Sequence, residues 1–476
     1  MKNHPKKTKK NGGHVIASGG FGCIFNPPLT CKKKQKTMKR KKNIITNEVV
    51  SKLMFKEYAK KEYNDVIQYK KQLDTIPNYT NYFLIDGFSL CQDPHLLTVE
   101  DLHNFNKKCK ALKKKNITQN NVNKSLDKLA FIQMPYGGIA VDDYIQNVHM
   151  NQVNTRELNK LLINLLENGI VPMNQRGVYH CDIKDSNVLV YSDTTRVLYT
   201  RIIDWGLSCI YPSTEKKILS KGPIPEELTH RPFQFNIPFS IILFQSSFLK
   251  LYQSFLNKNT NYDYFKIRSF VINYVLFLID KKGPGHIKNI NSTIKHFFKG
   301  ELLNVEEKFK DDLIEFEYTF YFVFEYLSKI LFHFTRENEF KVMDYFENVF
   351  LKNVDVWGFV TIYFSFVNYL LKVSNTRDLT KSEKKIIQTV KELYIILIEN
   401  CCKPIDTNEI VYKLKSLDEL FLHSTNIKGL PSQMLNETPL NTSSLDSTTI
   451  YSEKSTSKLK NSKQKTKKNF FTNIFS

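Results

Sequence analysis

The chain has 476 residues, 41% of them hydrophobic, and a formal net charge of +22. This composition excludes a wholly disordered chain and leaves room for about two or three structural units. The basic excess favours attraction to polyanions, acidic proteins or phospholipid surfaces and selects none of them.

The cysteines and the apolar segments indicate the compartment. Eight cysteines are spread over the chain with no even framework and no CxxC spacing, so we expect no disulfide scaffold and a reducing compartment. The start, MKNHPKKTKK, lacks an apolar core, so no signal peptide is predicted. The longest apolar stretch, residues 356–371, is shorter than the ~20 residues of a membrane span and predicts a buried helix.

The N-terminal region contains a glycine turn between two strands. Residues 1–11 form a basic tail that we expect to be disordered. The next segment, HVIASGGFGCIF, indicates a strand, a glycine turn and a second strand. Backbone amides in such a turn can approach phosphates closely because glycine has no side chain. The turn alone is weak evidence for nucleotide binding.

A basic loop, a strand and a helix follow. Residues 32–42, KKKQKTMKRKK, predict a solvated loop, with an anion or nucleic-acid contact as the alternative. The loop has no interleaved aromatic residue, so the base-stacking signature is missing. Apolar residues flank Lys52 in EVVSKLMF and indicate a strand, and KEYAKKEYNDVIQYKKQL indicates a helix. An exposed surface lysine is the alternative interpretation of Lys52.

Further strands are predicted at residues 81–90 and 128–134, on either side of a lysine-rich insertion at 107–124. Apolar residues then recur at helical spacing and predict a long helix that leads towards residue 178. These residues are Leu158, Leu161, Leu162, Leu165, Leu166 and Ile170.

Residues 178–208 carry the densest group of chemically active side chains. Two apolar runs, 188–191 and 197–203, flank a polar turn and predict a β-hairpin. The polar residues before and after this hairpin are His180, Asp182, Lys184, Asn187 and Asp204, followed by Gly206. Phosphoryl transfer from a nucleotide needs such a set: a carboxylate to orient the hydroxyl, a carboxylate and an amide for Mg²⁺, and an amine for developing charge.

The pattern H-x-D-I-K-x-x-N followed by D-x-G resembles the catalytic loop and metal-binding motif of protein kinases. Its surroundings are similar to those in the divergent serine/threonine protein kinases of large nucleocytoplasmic DNA viruses. Two positions depart from the pattern, because Cys181 stands where most kinases have arginine and Trp205 where they have phenylalanine. The resemblance covers roughly residues 12–425. It implies an α+β, bilobal protein-kinase-like fold with a β-rich small lobe, a helical large lobe and a helical insertion.

The resemblance assigns the catalytic residues as Asp182, Lys184 and Asn187, and the metal ligands as Asn187 and Asp204. The cofactors that it implies are ATP and Mg²⁺, with Mn²⁺ as an alternative metal. Lys52 would hold phosphates and pair with an acid on the next helix, for which Glu62 is the choice and Glu57 the alternative. The nucleotide-binding residues that it implies are Ala17, Ser18, Gly19, Gly20, Phe21, Gly22, Ile24, Lys52, Glu62, Met134, Tyr136 and Gly137.

The segment FIQMPYGGIAVDDYI resembles the kinase hinge, which borders the adenine pocket. Because proline has no N–H, the hinge donors must come from the neighbours of Pro135. Asp142 or Asp143 would bond the ribose, and an N-terminal helix cap is an equally good interpretation of the pair.

After Asp204 the chain occupies the place of the activation segment. RPFQFNIPFS resembles the substrate-docking end of that segment, with Pro238 matching the proline of the usual A-P-E. NVDVWGFVTIYF resembles a buried kinase helix in which Asp355 anchors the backbone of the catalytic loop, and an ordinary helix start is the alternative. Residues 239–350 are interpreted as an inserted helical subdomain.

Two helices at 382–400 and 408–421 end the predicted folded part. The Ser/Thr/Lys-rich remainder predicts a disordered basic tail. The predicted organisation is therefore a tail at 1–11, a small lobe at 12–136, a large lobe at 137–425 and a tail at 426–476.

The activity implied by the resemblance is ATP- and Mg²⁺-dependent transfer of the γ-phosphoryl group to Ser or Thr of a protein. It implies host cytoplasm (the viral factory) or the virion as the location, and not secretion. Polyanions are further expected partners through the basic loops and tails, and no transmembrane segment is expected. The substrate, the regulator and the oligomeric state are not indicated.

Three alternative functions remain compatible with the sequence. A pseudokinase or scaffold would bind nucleotide or a partner without turnover. A small-molecule or lipid kinase would not phosphorylate a generic protein substrate such as histone or casein. A nucleic-acid-binding structural protein rests on the charge alone, and salt-sensitive binding without ATP turnover would favour it.

Overall fold

The computed structural model describes residues 14–32, 49–147, 152–192, 197–212, 222–283, 287–298 and 320–423. The chain divides into the units Met1–Asn426 and Ile427–Ser476, and every described residue belongs to the first. Both predicted tails and residues 33–42 of the basic loop lie outside the described residues, so the predictions for them stay predictions.

The small lobe is built on a five-stranded antiparallel sheet with the strand order β1-β2-β3-β5-β4. The strands are β1 (His14–Ser18), β2 (Gly22–Asn26), β3 (Val49–Phe55), β4 (Ser89–Cys91) and β5 (Leu129–Pro135). One long helix, α1 (Lys56–Leu73), follows β3 directly and has the bounds that its sequence predicts.

The alternation of side chains along β3 sends neighbouring residues into different cores. Leu53 packs in the cluster of Val15, Phe25 and Phe131 on one face of the sheet. Met54 packs with Ala59 of α1 on the other face. Lys52 has the same parity as Met54, so its side chain leaves the sheet on the α1 side, where Glu62 receives it.

Two disulfides fasten the small lobe, and the expectation of no disulfide scaffold is wrong. Cys23 of β2 is bonded to Cys109, and Cys31 is bonded to Cys91 of β4. The partners are 86 and 60 residues apart in sequence, so only the pairing of the strands and the folding of the segment between β4 and β5 bring them together. That segment carries three short helices, at Val99–Leu102, Phe105–Lys108 and Lys110–Lys113.

The large lobe is mostly helical. Its longer helices are Gln152–Leu165, Ser246–Lys258, Tyr264–Lys282, Ile287–Phe298, Phe320–Phe334, Leu351–Ile362, Phe364–Ser374, Lys381–Glu399 and Thr407–His423. Shorter helices are Val141–Asn147, Val171–Gln175, Glu226–Thr229 and Val342–Tyr345. The long helix predicted before residue 178 is present and continues as a π-helical turn over Leu166–Ile170.

Short strands in the large lobe shape the site. A three-stranded sheet joins β6 (Ile139–Ala140), β8 (Val188–Ser192) and β9 (Leu198–Ile202), and the pair β8–β9 is the predicted hairpin. Strand β7 (Val178–Tyr179) pairs with β10 (Cys209–Ile210). A last pair, β11 (Thr335–Arg336) and β12 (Glu339–Phe340), lies in the predicted insertion.

This arrangement of a β-rich lobe followed by a helical lobe confirms the predicted α+β, bilobal fold class. The strand predicted at 81–90 is wrong over most of its length, because Tyr79–Asn81 forms a 3₁₀ turn and only residues from Ser89 onward join the sheet. Phe83 instead bridges to Ile202, which ties this connection to the large lobe.

One helical segment of the described part, Val342–Ser374, is long and apolar enough to cross a membrane, with a mean hydropathy of 1.4. However, 83% of its apolar window is buried inside the protein, as expected for a core helix. Trp357 of this segment is fully buried against Phe239 and Tyr326. The segment predicted as a buried helix at 356–371 therefore belongs to the core.

Candidate active site

A buried ammonium joins two carboxylates between β3, α1 and the end of the β8–β9 hairpin. Lys52 Nζ lies 2.8 and 2.9 Å from the two carboxylate oxygens of Glu62 and 3.0 Å from Asp204 Oδ1. Of the two acids considered as partners, Glu62 is buried and contacts Lys52, whereas Glu57 is exposed. Burial alone would lower the pKa of Lys52, but the charges of Glu62 and Asp204 hold it above its ordinary value.

The two carboxylates differ electrostatically. The Lys52 ammonium outweighs the desolvation of Asp204 and holds the pKa of Asp204 below its ordinary value. Burial raises the pKa of Glu62 despite the same ammonium. Asp204 is therefore the carboxylate better suited to hold a divalent cation.

Aromatic packing fixes the backbone around Asp204. Asp204 adopts a left-handed conformation with φ 64°, which turns the chain sharply before Trp205. The Trp205 ring is buried against Tyr69 of α1 at 5.6 Å, Phe83 at 5.8 Å and His180 at 5.0 Å between ring centroids. Tryptophan thus fills the space between α1 and the segment His180–Asn187, which is called the catalytic loop below after the kinase loop that it resembles. This space accommodates an indole ring, which is larger than the phenylalanine ring of the kinase pattern.

Asp182 is buried among donors from the catalytic loop and from the segment Arg231–Asn236. Its Oδ2 accepts from Lys184 Nζ at 2.9 Å and from Asn187 Nδ2 at 3.0 Å. Its Oδ1 accepts from Asn236 Nδ2 at 3.0 Å and lies 3.5 Å from Arg231 Nη2. These contacts fix the rotamer of Asp182 and bring the three residues assigned as catalytic together.

The catalytic loop is tied to the residues that carry Asp204. The backbone amide of Ile203 donates to Asn187 O at 3.0 Å, and the His180 ring Nε2 lies 3.0 Å from Ile203 O. The Asn187 side-chain nitrogen is used by Asp182, so its carbonyl oxygen is the atom suited to a cation.

The Asp355 carboxylate accepts hydrogen bonds from the backbone of the catalytic loop. Its Oδ2 accepts from the amide of His180 at 2.9 Å and its Oδ1 from the amide of Cys181 at 2.8 Å. Asn174 donates to the same Oδ2 at 2.7 Å. Burial raises the pKa of Asp355 while these donors oppose the rise. The helix Leu351–Ile362, which carries Asp355, can approach the catalytic loop this closely because Gly358 has no Cβ. A Cβ at Gly358 would lie 2.6 Å from Ile183 O.

The glycine turn between β1 and β2 lies beside Asp204. A Cβ at Gly19 would meet Asp204 Oδ2 at 4.0 Å, and Gly20 has open space around it. Gly22 must be glycine because a Cβ there would lie 2.7 Å from Leu53 O. Phe21 is exposed at the tip, with its ring 5.5 Å from that of Tyr58.

Other side chains in the glycine turn hold it to the lobe. Ser18 Oγ accepts from the amide of Ala111 at 3.1 Å, which connects the turn to the segment carrying Cys109. Ala17 and Ile24 are register partners in the β1–β2 pair, and Ile24 also faces Lys52 across β2 and β3. The turn and Lys52 therefore belong to one continuous sheet.

The hinge segment leads from β5 into the large lobe. Met134 and Pro135 are the last residues of β5, followed by Tyr136 and Gly137. A Cβ at Gly137 would lie 2.5 Å from the Leu189 side chain and 2.9 Å from Leu84. The backbone of the hinge is thus packed directly on the β8 strand that follows the catalytic loop.

Asp142 and Asp143 lie in the first turn of the helix Val141–Asn147, so both the cap and the ribose interpretation stay open. Asp142 Oδ1 is buried without a hydrogen-bond partner. Burial, followed by the charge of Asp142, raises the pKa of Asp143.

The two metal ligands assigned from the sequence suit a metal site in which water and substrate phosphates supply the other ligands. Among the residues that the structure describes, no group of three or more His, Cys, Asp or Glu side chains could hold a metal ion. Asp204 and Asn187 supply one carboxylate and one amide, which suits Mg²⁺ because this ion keeps waters and binds substrate phosphates with few protein ligands.

Three residues around Asp182 were not assigned a role from the sequence. They are Arg231, Gln234 and Asn236, all within the segment RPFQFNIPFS. The sequence signal for such a role is that an arginine and two amide side chains lie in an otherwise apolar segment. Polar groups buried in such a segment require hydrogen-bond partners.

No family model matches the sequence, and no curated protein matches it. Solved structures do match, among them the PK-1 kinase of the Cydia pomonella granulovirus, with 14% sequence identity and a TM-score of 0.23. The match covers 47% of this chain and 64% of that one, so the chain spans less than two thirds of the length of that kinase. A likeness of this extent says nothing about activity.

Proposed function

We propose that the chain is an ATP- and Mg²⁺-dependent protein kinase that phosphorylates Ser or Thr. One observation carries the proposal: Lys52 contacts Asp204, while Asp182 contacts both Lys184 and Asn187 in the loop bonded to Ile203. The groups that phosphoryl transfer needs are thus present in one connected arrangement.

Each side chain has a distinct task in this proposal. Asp182 orients the substrate hydroxyl and accepts its proton, and Lys184 offsets charge that develops on the transferring group. Lys52, positioned by Glu62, binds nucleotide phosphates, and the amides of the glycine turn approach them closely. Mg²⁺ bound by Asp204 and Asn187 would supply charge neutralisation of the phosphates.

The preference for Ser or Thr over other acceptors rests on the resemblance around Lys184. A pseudokinase lacks at least one of these groups or fails to assemble them, whereas here Lys52, Asp182, Asn187 and Asp204 are all present. The contacts of Lys52 with Glu62 and Asp204 favour turnover over simple scaffolding.

The test is transfer of radiolabelled phosphate from ATP to casein, histone, a phosphoinositide and a nucleoside, with Mg²⁺ and with EDTA. We expect Mg²⁺-dependent labelling of serine or threonine in a protein substrate. Asp182→Asn should lower the rate by a factor of about 10²–10⁴ while nucleotide binding persists. Labelling of the lipid or the nucleoside alone would move the chain to another class of kinase. Binding without transfer would make it a pseudokinase.

A further inference from the structure

Cys181, the residue just before Asp182, stands where most kinases have arginine. The Cys181 side chain is fully buried and its Sγ lies 3.9 Å from the free thiol of Cys209. The hydrogen bond with Cys209, together with burial, raises the pKa of the Cys181 thiol well above its ordinary value, so the group stays neutral. A neutral thiol in this place cannot form an ion pair with a phosphate on the activation segment.

The guanidinium of Arg231, about fifty residues later in the sequence, contacts the loop at Cys181 and Asp182. Arg231 is 5% exposed, and its Nη1 donates to the backbone oxygen of Cys181. Its Nη2 lies 3.5 Å from Asp182 Oδ1 in an ion pair whose side chains are only 6% and 5% exposed. One side chain therefore touches both the backbone and the carboxylate of the catalytic loop.

Three neighbouring amides hold Arg231 and Asp182 in this arrangement. Gln234 Oε1 accepts from Arg231 Nε at 2.9 Å and also from Nη2. Gln245 Nε2 donates to Arg231 O at 2.9 Å. Asn236 Nδ2 donates to Asp182 Oδ1 and to Ile183 O, at 3.0 and 3.1 Å.

Burial of this ion pair is not explained by stability alone. A buried ion pair gains little over apolar residues of the same size, because desolvation offsets the attraction between the charges. The planar guanidinium does what an apolar side chain cannot, since it bonds an acceptor on the loop backbone and faces the carboxylate at the same time. The contact therefore specifies one rotamer of Asp182 and one distance between two segments.

We propose that Arg231 is a positioning residue that holds Asp182 in its reactive orientation and does so without a phosphate on the activation segment. The cation that orders the loop is then supplied permanently by the segment Arg231–Asn236, with Gln234 aiming the guanidinium. The inference rests on the proposed kinase activity and adds its mode of activation.

The test compares wild type with Arg231→Ala, Arg231→Lys and Gln234→Ala in the full chain. For Arg231→Ala we expect kcat to fall about 100-fold, as for a misplaced reacting group, with little change in the Kd of Mg·ATP. Arg231→Lys should recover little, because an ammonium cannot bridge both acceptors. Added guanidinium chloride, at concentrations that leave wild type folded, should restore part of the kcat of Arg231→Ala. A role confined to stability would not respond to it.

Arg268→Ala is the matched control, since Arg268 forms an ion pair with Glu325 in another part of the large lobe. It should keep the wild-type kcat. If Arg231→Ala does not fold, Gln234→Ala decides, with an expected loss of about tenfold in kcat at constant nucleotide affinity. An active wild type with an unchanged kcat in the folded variants overturns the role of Arg231 alone. An inactive wild type overturns the proposed function and this inference together.

Discussion

Lys52 and Glu62 form a buried ion pair, in which the ammonium contacts both carboxylate oxygens at 2.8 and 2.9 Å. The pair joins the central strand of the small-lobe sheet to α1. Because Lys52 also reaches Asp204 at 3.0 Å, the position of α1 fixes how the ammonium meets the residue that would hold the metal. The geometry proposed for catalysis is therefore linked to the packing of α1 on the sheet.

The first prediction removes the acid of this pair. Glu62→Gln leaves Lys52 with Asp204 as its charged partner, so the ammonium should be drawn towards the metal ligand and away from the phosphates. We expect the KM for ATP to rise and kcat to fall, each by about tenfold. Glu57→Gln, an exposed position on the same helix, is the control and should behave as wild type. Equal kinetics of both variants would show that Lys52 needs no partner.

The second prediction concerns the metal. Asp204→Ala removes the carboxylate whose pKa the Lys52 ammonium depresses, so the variant should lose Mg²⁺-dependent nucleotide affinity and almost all transfer. Without Mg²⁺, nucleotide should bind at least as well as to wild type, because a negative charge near the phosphates is gone. Calorimetric titration with and without Mg²⁺ separates the two effects. Asp127→Ala, at an exposed acid, is the control. Retained Mg·ATP affinity would place the metal elsewhere.

The third prediction follows from the two disulfides of the small lobe. Cys23–Cys109 and Cys31–Cys91 close loops of 86 and 60 residues, and such cross-links each stabilise by about 2–4 kcal/mol. Dithiothreitol should therefore lower the unfolding temperature, and Cys23→Ala with Cys109→Ala should lower it without reductant. Cys401→Ala, which removes a free thiol, should show the wild-type response to reductant. Mass spectrometry that finds all eight thiols free in the purified, non-reduced protein would contradict the pairing.

Local sequence patterns correctly predicted those elements whose structure depends on a single segment of the chain. The bounds of α1 and the β8–β9 hairpin follow from the spacing of apolar residues and turn residues, which the sequence displays directly. The resemblance named Glu62 ahead of Glu57, and the contact with Lys52 agrees with that choice.

Contacts between residues far apart in the sequence could not be predicted from such local patterns. The strand expected at 81–90 is mostly a connection, because Phe83 bridges to β9 rather than to its neighbour in the small lobe. The disulfide partners and the contact of Arg231 with Asp182 join residues far apart in sequence. No periodicity marks such pairs, since they arise only when separate elements pack together.

The fourth prediction tests the anchor of the catalytic loop. Asp355→Asn replaces an acceptor oxygen by an NH₂ group that faces a backbone N–H of His180 or Cys181, so one buried donor loses its partner. A loss of that kind costs about 1–3 kcal/mol. We expect a lower unfolding temperature and a fall in kcat that exceeds any change in the KM for ATP. Asp344→Asn, at an exposed position of a nearby helix, should leave both unchanged. An active, equally stable Asp355→Asn protein would remove the anchor role.

The last prediction is that phosphorylation of the activation segment is not the activating switch. The hydroxyl-bearing residues of this segment are Ser208, Tyr211, Ser213, Thr214, Ser220 and Thr229, of which residues 213–221 lie outside the described part. Ser208 is buried with its Oγ bonded to His180 O, and the Tyr211 hydroxyl is bonded to Glu347 at 2.7 Å. Neither can accept a phosphate without breaking these contacts.

Cys181 offers such a phosphate no positive charge, and Arg231 already occupies the site beside Asp182. Phosphatase-treated protein should therefore keep the initial rate of untreated protein within about twofold, since no new charge-assisted bonds are needed to order the loop. A variant with Ala at the half-buried Thr229 and at Ser213, Thr214 and Ser220 should do the same, while Arg231→Ala should be slow before and after treatment. A large loss of activity in the phosphatase arm, with circular dichroism unchanged, would show that the enzyme requires a phosphate and would overturn this prediction.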